Sequence, residues 1–440
     1  MSAATAPPPP AAAPRPGGTP SPAAALPAAA TGSATPATTA NRSVPSRLAL
    51  LRVTAMVAVL AWSVLTATQL GLSWLALGTA QDDTAQLVRL QEAKVDLLHA
   101  DALATNAFLV GGLEPAEQRT AYDEAITAAT SNLSAAMSAQ PADADVLAEL
   151  NTIVVDYAAG MELARANNRQ GLPVGAAYLN QSSSELRGRG MDLIDAAIDA
   201  NAARSEDSLG AQHPFWIMIP GLVVIGALWG IHRWVRNQFK RKYNSGLLWA
   251  IWLVALVTAG SFITTTAQAG VNANVRILEY QDVSDGAQIR SAANLARSNE
   301  SLRLIARGSG AAYEEAWVAN AATVDDLIDV EALGAGGPRD DWAAYTELHG
   351  QLVALDDGGD WDAAVQVATD PGPESASASF AAFDDVIKSR IGSAAANVET
   401  RLDPGNRISL LGWGGAALLL GLFGANRAWR GISRRLEEYA

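Results

Sequence analysis

The side chains best suited to chemistry fall on one predicted helix, where Arg290, Asn294, Arg297, Asn299, Arg303 and Arg307 recur on a polar face. A guanidinium is a planar fork of N–H donors, so such a row could clamp a carboxylate through paired hydrogen bonds. The same arginines could equally be solvated partners of the acids that abound in this half of the chain. A second cluster is Asp356, Asp357, Asp360 and Asp362 in DDGGDWD. It lacks the full spacing and closing Glu of a calcium loop, so it reads as a solvated turn. Arg297, Arg303, Arg307, Asp356, Asp357 and Asp360 are therefore the candidate contacts for a ligand or partner. A third set, Arg233, Arg236, Lys240, Arg241 and Lys242, occupies a short stretch without an acid. It reads as a topology determinant and anionic-lipid contact, and secondarily as a dock for a soluble partner.

Catalytic constellations are missing from the pattern. The histidines 99, 213, 232 and 349 are scattered, and the absence of cysteine excludes disulfides, thiol-ligated metals and thiol nucleophiles. No phosphate-binding loop is present. The expectation is a non-enzymatic chain with no cofactor, no metal and, with a net charge of −14, no nucleic-acid partner.

The elements that must position these residues are membrane spans and helices. Four uncharged apolar runs, within 48–80, 213–232, 246–270 and 408–426, are long enough to cross a bilayer as helices. The basic segment 233–245 joins the second and third, which marks it as cytoplasmic. Charge follows the same partition. Residues 81–212 hold 8 basic and 20 acidic residues, and 271–407 hold 10 and 23. The remaining 13 basic residues, against two acids, lie in the tails, the spans' flanks and the loop. The protein is thus expected in the cell membrane, multi-pass, with both termini inside. Residues 1–47, rich in Pro and Ala, are expected to be a disordered cytoplasmic tail, and 427–440 a second tail. Spans without internal charge, and with Pro220 alone well inside one, argue against a transporter. Gly226, Gly230 and the glycines 412, 414, 415, 421 and 424 suit close helix contacts, among the spans or across a homodimer seam.

Apolar residues three or four apart divide 81–212 into four helices, marked by Leu87–Leu109, Tyr122–Met137, Val146–Met161 and Met191–Ile198. Residues 271–407 repeat the plan. Ala121-Tyr122-Asp123-Glu124-Ala125 answers Ala312-Tyr313-Glu314-Glu315-Ala316, each after a helix ending in glycines, and Asp156-Tyr157 answers Asp341-Trp342. The predicted fold is all-α: four transmembrane helices and two extracytoplasmic antiparallel four-helix bundles in tandem. The turns expected at the membrane-distal end are 110–119, 167–175, 307–312 and 356–373.

A four-helix bundle held between two spans resembles the sensor modules of bacterial chemoreceptors. Two in tandem, with the basic central hairpin and an Arg-rich, Lys-poor composition, look like the actinobacterial GlnX-like transmembrane sensors over residues 48–440. That resemblance implies a nutrient relay. A GlnH-like solute-binding lipoprotein would bind Asp, Glu or Asn outside, and a PknG-like Ser/Thr kinase inside would regulate 2-oxoglutarate metabolism. It assigns no binding residue individually. A scaffold protein of the cell envelope and a receptor binding a small ligand directly between its helices are the alternative readings.

Overall fold

A computed structural model describes residues 44–210, 213–239, 243–275, 280–328, 337–402 and 404–437. The Pro-rich tail through residue 43 and Lys240, Arg241 and Lys242 lie outside the described residues. The described chain is helical throughout, without strands. Four helices are long and apolar enough to cross a membrane.

The longest helix, α1 (Val44–Val110), has 67 residues. At 1.5 Å per residue it runs about 100 Å, so one rod serves as first span and first bundle helix. Nothing in its sequence breaks it until Gly111 and Gly112, which take φ of +67° and +61°, the left-handed region that favours glycine. Bundle 1 is completed by α2 (Ala116–Ala139), α3 (Ala144–Arg169) and a fourth rod, α4 (Val174–Glu185) running into α5 (Met191–Gly210). A π turn at Leu186–Gly190 joins α4 to α5. The bundle core is aliphatic, with Leu97, Leu133, Leu150, Leu186 and Ile194 fully buried around Tyr157.

α6 (Phe215–Phe239) and α7 (Ser245–Asn274) form the central hairpin, and α13 (Pro404–Leu436) is the last span. With the first half of α1 they make a four-helix membrane bundle whose core runs from Leu48 and Trp62 through Leu228 and Val257 to Ala417 and Ile432. Contacts between α7 and α13 need small residues. A Cβ on Gly246 would lie 2.3 Å from the Arg427 carbonyl oxygen, and one on Gly260 2.1 Å from the Trp413 ring. Gly421 meets Ser63 of α1 and Gly221 meets Thr258 in the same way. Of the glycines singled out by sequence, Gly414, Gly421 and Gly424 face neighbours, whereas Gly226, Gly230, Gly412 and Gly415 face open space.

Bundle 2 is α8 (Tyr280–Ile305), α9 (Ala311–Ile328), α10 (Pro338–Asp357) and α12 (Ala376–Leu402). Its core is aromatic, built on Trp317, Trp342, Tyr345, Phe380 and Phe383. The stretch expected as a plain turn over 356–373 contains a further helix, α11 (Trp361–Thr369), capped by the Asp360 carboxylate accepting from Ala363 N–H at 3.2 Å. The physical reason is that helix cap, flanked by Gly358-Gly359 and Pro371-Gly372-Pro373.

The two bundles stand side by side. The second half of α1 packs along α8, and both segments are buried on nearly every face. α11 lies across the distal end, where Asn106 Nδ2 donates to the Ala368 carbonyl at 3.1 Å.

Candidate functional site

The seam between α1 and α8 is polar, and it concentrates most of the buried charge described here. Asp101 is fully buried on α1. Its Oδ2 accepts from Ser183 Oγ at 2.9 Å and from Ser298 Oγ at 2.7 Å, joining α4 of bundle 1 to α8 of bundle 2. Arg187 in the π turn lies 3.6 Å from the same carboxylate and donates to Asn299 Oδ1 at 2.9 Å. A π turn inserts one extra residue per turn and so redirects a side chain, and here it directs Arg187 into the seam. His99 Nδ1 meets Asn294 Oδ1 at 3.0 Å, with Asn294 one turn below Ser298 on α8. Burial lowers the pKa of His99, so this imidazole is neutral near neutral pH.

Below that knot, Arg290 and Asp384 form a buried fork of two hydrogen bonds, each 2.7 Å. Burial alone would raise the Asp384 pKa, but the Arg290 hydrogen bonds and charge hold it below the ordinary range. Asp96, facing the same guanidinium without a hydrogen bond, moves the other way. Burial pushes its carboxyl up to about 6, against the pull of Arg290. Burial likewise raises Glu92.

Nearer the distal end, three of the sequence candidates turn out to be partners, Arg303 with Asp356 and Asp357. Arg303 lies 3.1 Å from Asp356, 2.6 Å from Asp357 and 3.3 Å from Glu314. Glu314 also reaches His349 Nε2 at 3.4 Å, and His349 Nδ1 meets the buried Glu300 at 2.8 Å. The imidazole stacks on Trp317 with ring centroids 3.6 Å apart. Burial would lower the His349 pKa, but hydrogen bonds to Glu300 and Glu314 outweigh it and raise the value. The sign follows directly: this charge stabilises bundle 2 below pH 6.5, and the contribution is lost as pH rises through the folded value. The melting midpoint should therefore fall on the alkaline side of that window in the native chain. His349→Gln should start from a lower midpoint and lose that dependence, as a differential scanning fluorimetry series across pH will show.

Arg307, at φ +39°, lies over the Trp361 ring at 4.1 Å. The pair closes one side of a 580 Å³ cleft at the distal end, whose other side is Phe108, Gly111, Gly171 and Leu172 of bundle 1. Beside it Leu113 is 84 % exposed, with Leu172 and Val174 each 45 % exposed. Arg297 lies apart from both groups. Its guanidinium donates to Ser377 Oγ at 2.9 Å and lies 4.6 Å from the Phe380 ring, and it lines a 440 Å³ groove between the bundles. Of the basic hairpin residues described, Arg233 and Arg236 are exposed on the last turns of α6.

Sequence reasoning therefore named Arg297, Arg303 and Arg307, which the fold distributes to three different places. It missed Asp96, Asp101, Arg187, Asp384 and His349. The i, i+7 repeat of Arg290 and Arg297 is the one signal that pointed toward the groove. No group of three or more His, Cys, Asp or Glu with metal-binding geometry occurs among the described residues.

No curated protein and no solved structure matches the chain. Residues 76–210, from within α1 to the end of α5, match the family model described as an actinobacterial sensor domain. Bundle 1 is thus similar to a domain type that senses, and the chain carries it in a protein with four membrane-length helices.

Proposed function

We propose that this protein is a transmembrane signal relay that couples amino-acid sensing outside the cell to a cytoplasmic Ser/Thr kinase controlling nitrogen and 2-oxoglutarate metabolism. The observation that carries the reading is α1, a single 67-residue helix from the membrane bundle to the distal end. A displacement at the tip has no hinge in α1 at which to dissipate. α5 and α12 return from the bundles toward α6 and α13, so each span has a bundle helix adjoining it. The relay requires two discrete arrangements of these helices, biased by whatever binds outside. With both termini inside, as the basic flanks favour, the bundles face outward.

The tip supports a protein as the immediate input. Exposed Leu113, Leu172 and Val174 surround a cleft floored by Phe108 and edged by Arg307. An apolar patch edged by cations suits a protein surface of matching shape, and the resemblance supplies a solute-binding lipoprotein for that place. On the inner face, Arg233 and Arg236 are available to lipid or to the kinase. The reading assigns the chain no catalytic step of its own.

Affinity purification from native membranes after mild crosslinking tests it. The expected result is co-purification of a solute-binding lipoprotein and a Ser/Thr kinase in amounts that change on addition of glutamate or aspartate. Recovery of envelope proteins irrespective of nutrient would overturn it in favour of a scaffold.

A further inference from the structure

The groove between the bundles has a charge arrangement that packing alone leaves incomplete. It is lined by Asp96 and His99 of α1, Glu124 of α2, Arg290 and Arg297 of α8, and Phe380 of α12. Arg290 is fully engaged by Asp384. Arg297 is not so engaged: it is only 7 % exposed, yet no carboxylate of the described residues pairs with it. A buried guanidinium without a counter-charge is costly, because Ser377 and the Phe380 ring replace only part of its hydration. Asp96 is the complementary case, a half-buried carboxylate accepting no hydrogen bond from any described residue.

Arg290 and Arg297 are seven residues apart on α8, about 10 Å along its axis. Asp96 lies three residues before His99, which meets Asn294 at 3.0 Å, so it sits near the Arg290 level. The unsatisfied cation therefore lies nearer the tip and the unsatisfied anion nearer the membrane, with open space between. A 440 Å³ space is ample for a small metabolite and too small for a peptide segment of any length.

We infer that this groove binds a free α-amino acid, with Arg297 taking the carboxylate, Asp96 taking the ammonium group and Phe380 forming the wall beside the side chain. The bound zwitterion supplies Arg297 with a carboxylate and Asp96 with a hydrogen-bond donor. Arg290 and Lys388 also line the groove and pull on Asp96, and Glu124, Asp384 and Asp385 line it as counter-charges. Because α1 and α2 belong to one bundle and α8 and α12 to the other, the ligand also bridges the two. The inference rests on the proposed relay and adds to it a second, direct input beside the partner protein at the tip, and the binding itself needs no partner.

The test uses the full-length protein in lipid nanodiscs, by calorimetry and thermal shift against the twenty amino acids. Each ligand that binds is compared with its deaminated acid and its decarboxylated amine. The expected result is saturable binding of at least one amino acid and none of either counterpart. Arg297→Gln and Asp96→Asn should each weaken binding by about 10- to 100-fold, as loss of a charged hydrogen bond does, with Arg297→Lys retaining part of it. Asp96→Asn should also raise the ligand-free midpoint at pH 7.5, since it removes a carboxylate whose ionised form burial, Glu92 and Asp384 disfavour more than Arg290 and Lys388 favour it. A merely structural Asp96 would lower it. Three results would overturn the inference: no amino acid binding, undiminished binding in both variants, or deaminated acids binding as well as the amino acids. A failed partner purification with intact binding would reject the relay and leave this site standing.

Discussion

Arg290→Ala is expected to destabilise the paired bundles by about 3–5 kcal/mol, the usual cost of stranding one member of a buried ion pair. Arg290 and Asp384 are 7 % and 6 % exposed and share two 2.7 Å hydrogen bonds, so removing either strands a largely buried charge in the wall of the groove. Asp384→Ala should cost a similar amount. The double variant Arg290→Met with Asp384→Leu should recover most of the loss, because it removes both charges and leaves apolar volume. Arg290 also lowers the pKa of Asp96 and Glu92, so the single variant at residue 290 should shift both carboxyls further up. The pair carries an acid limit as well. Asp384 has a depressed pKa, so its contribution is present above 3.8 and is lost as pH falls through the folded value. Chemical denaturation of the detergent-solubilised chain at pH 7 checks the magnitudes.

Asp101→Ala should have a comparable effect, about 3 kcal/mol or more, and a different consequence. This carboxylate is the common acceptor for Ser183 and Ser298, one from each bundle, and the ion-pair neighbour of Arg187 at 3.6 Å. Its removal leaves two hydroxyls without their acceptor and Arg187 without its counter-charge where α1, α4 and α8 meet. The bundles should loosen from each other before either core melts. Hydrogen exchange should report faster exchange along the facing turns of α1 and α8, with α3 and α10 protected as before. Asp101→Asn keeps an acceptor oxygen and should cost less, losing chiefly the charge that Arg187 faces.

The elements of this fold were easier to read than their assembly. Long uncharged runs marked the four spans, and the stripe Phe380, Phe383, Ile387, Ile391 marked a core-facing helix; all four residues are buried. The lateral packing of the bundles was hidden because the seam is polar. Ser291, Asn294, Ser298, Asn299 and Ser301 line α8 and are nearly inaccessible, yet to a hydropathy argument they describe a solvated face. Their burial becomes visible only when Asp101 and His99 of α1, some two hundred residues earlier, are brought opposite. The candidate sets fared similarly. Arg303, Asp356 and Asp357 were each chosen as unusual charges, and residue type could not reveal that they neutralise one another. Arg297 and Asp96 could be recognised as unpaired only after the other arginines had been assigned. α11 escaped because a nine-residue helix between two Gly- and Pro-rich breaks looks like the turn those breaks announce.

The relay stands or falls on whether α1 moves against its neighbours near the membrane. Thr84 of α1 and Ser205 of α5 are buried and meet through their hydroxyls at 3.0 Å, a spacing that suits a disulfide between cysteines at these two positions. The native chain has no cysteine, so the Thr84→Cys, Ser205→Cys variant forms one defined crosslink. The rate of its oxidation in membranes, measured with and without external glutamate or aspartate, is the most direct test. The account predicts that the rate changes with the amino acid, and that the closed crosslink fixes kinase output in one state. Equal rates in both conditions, with output still responsive after the crosslink has closed, would contradict it.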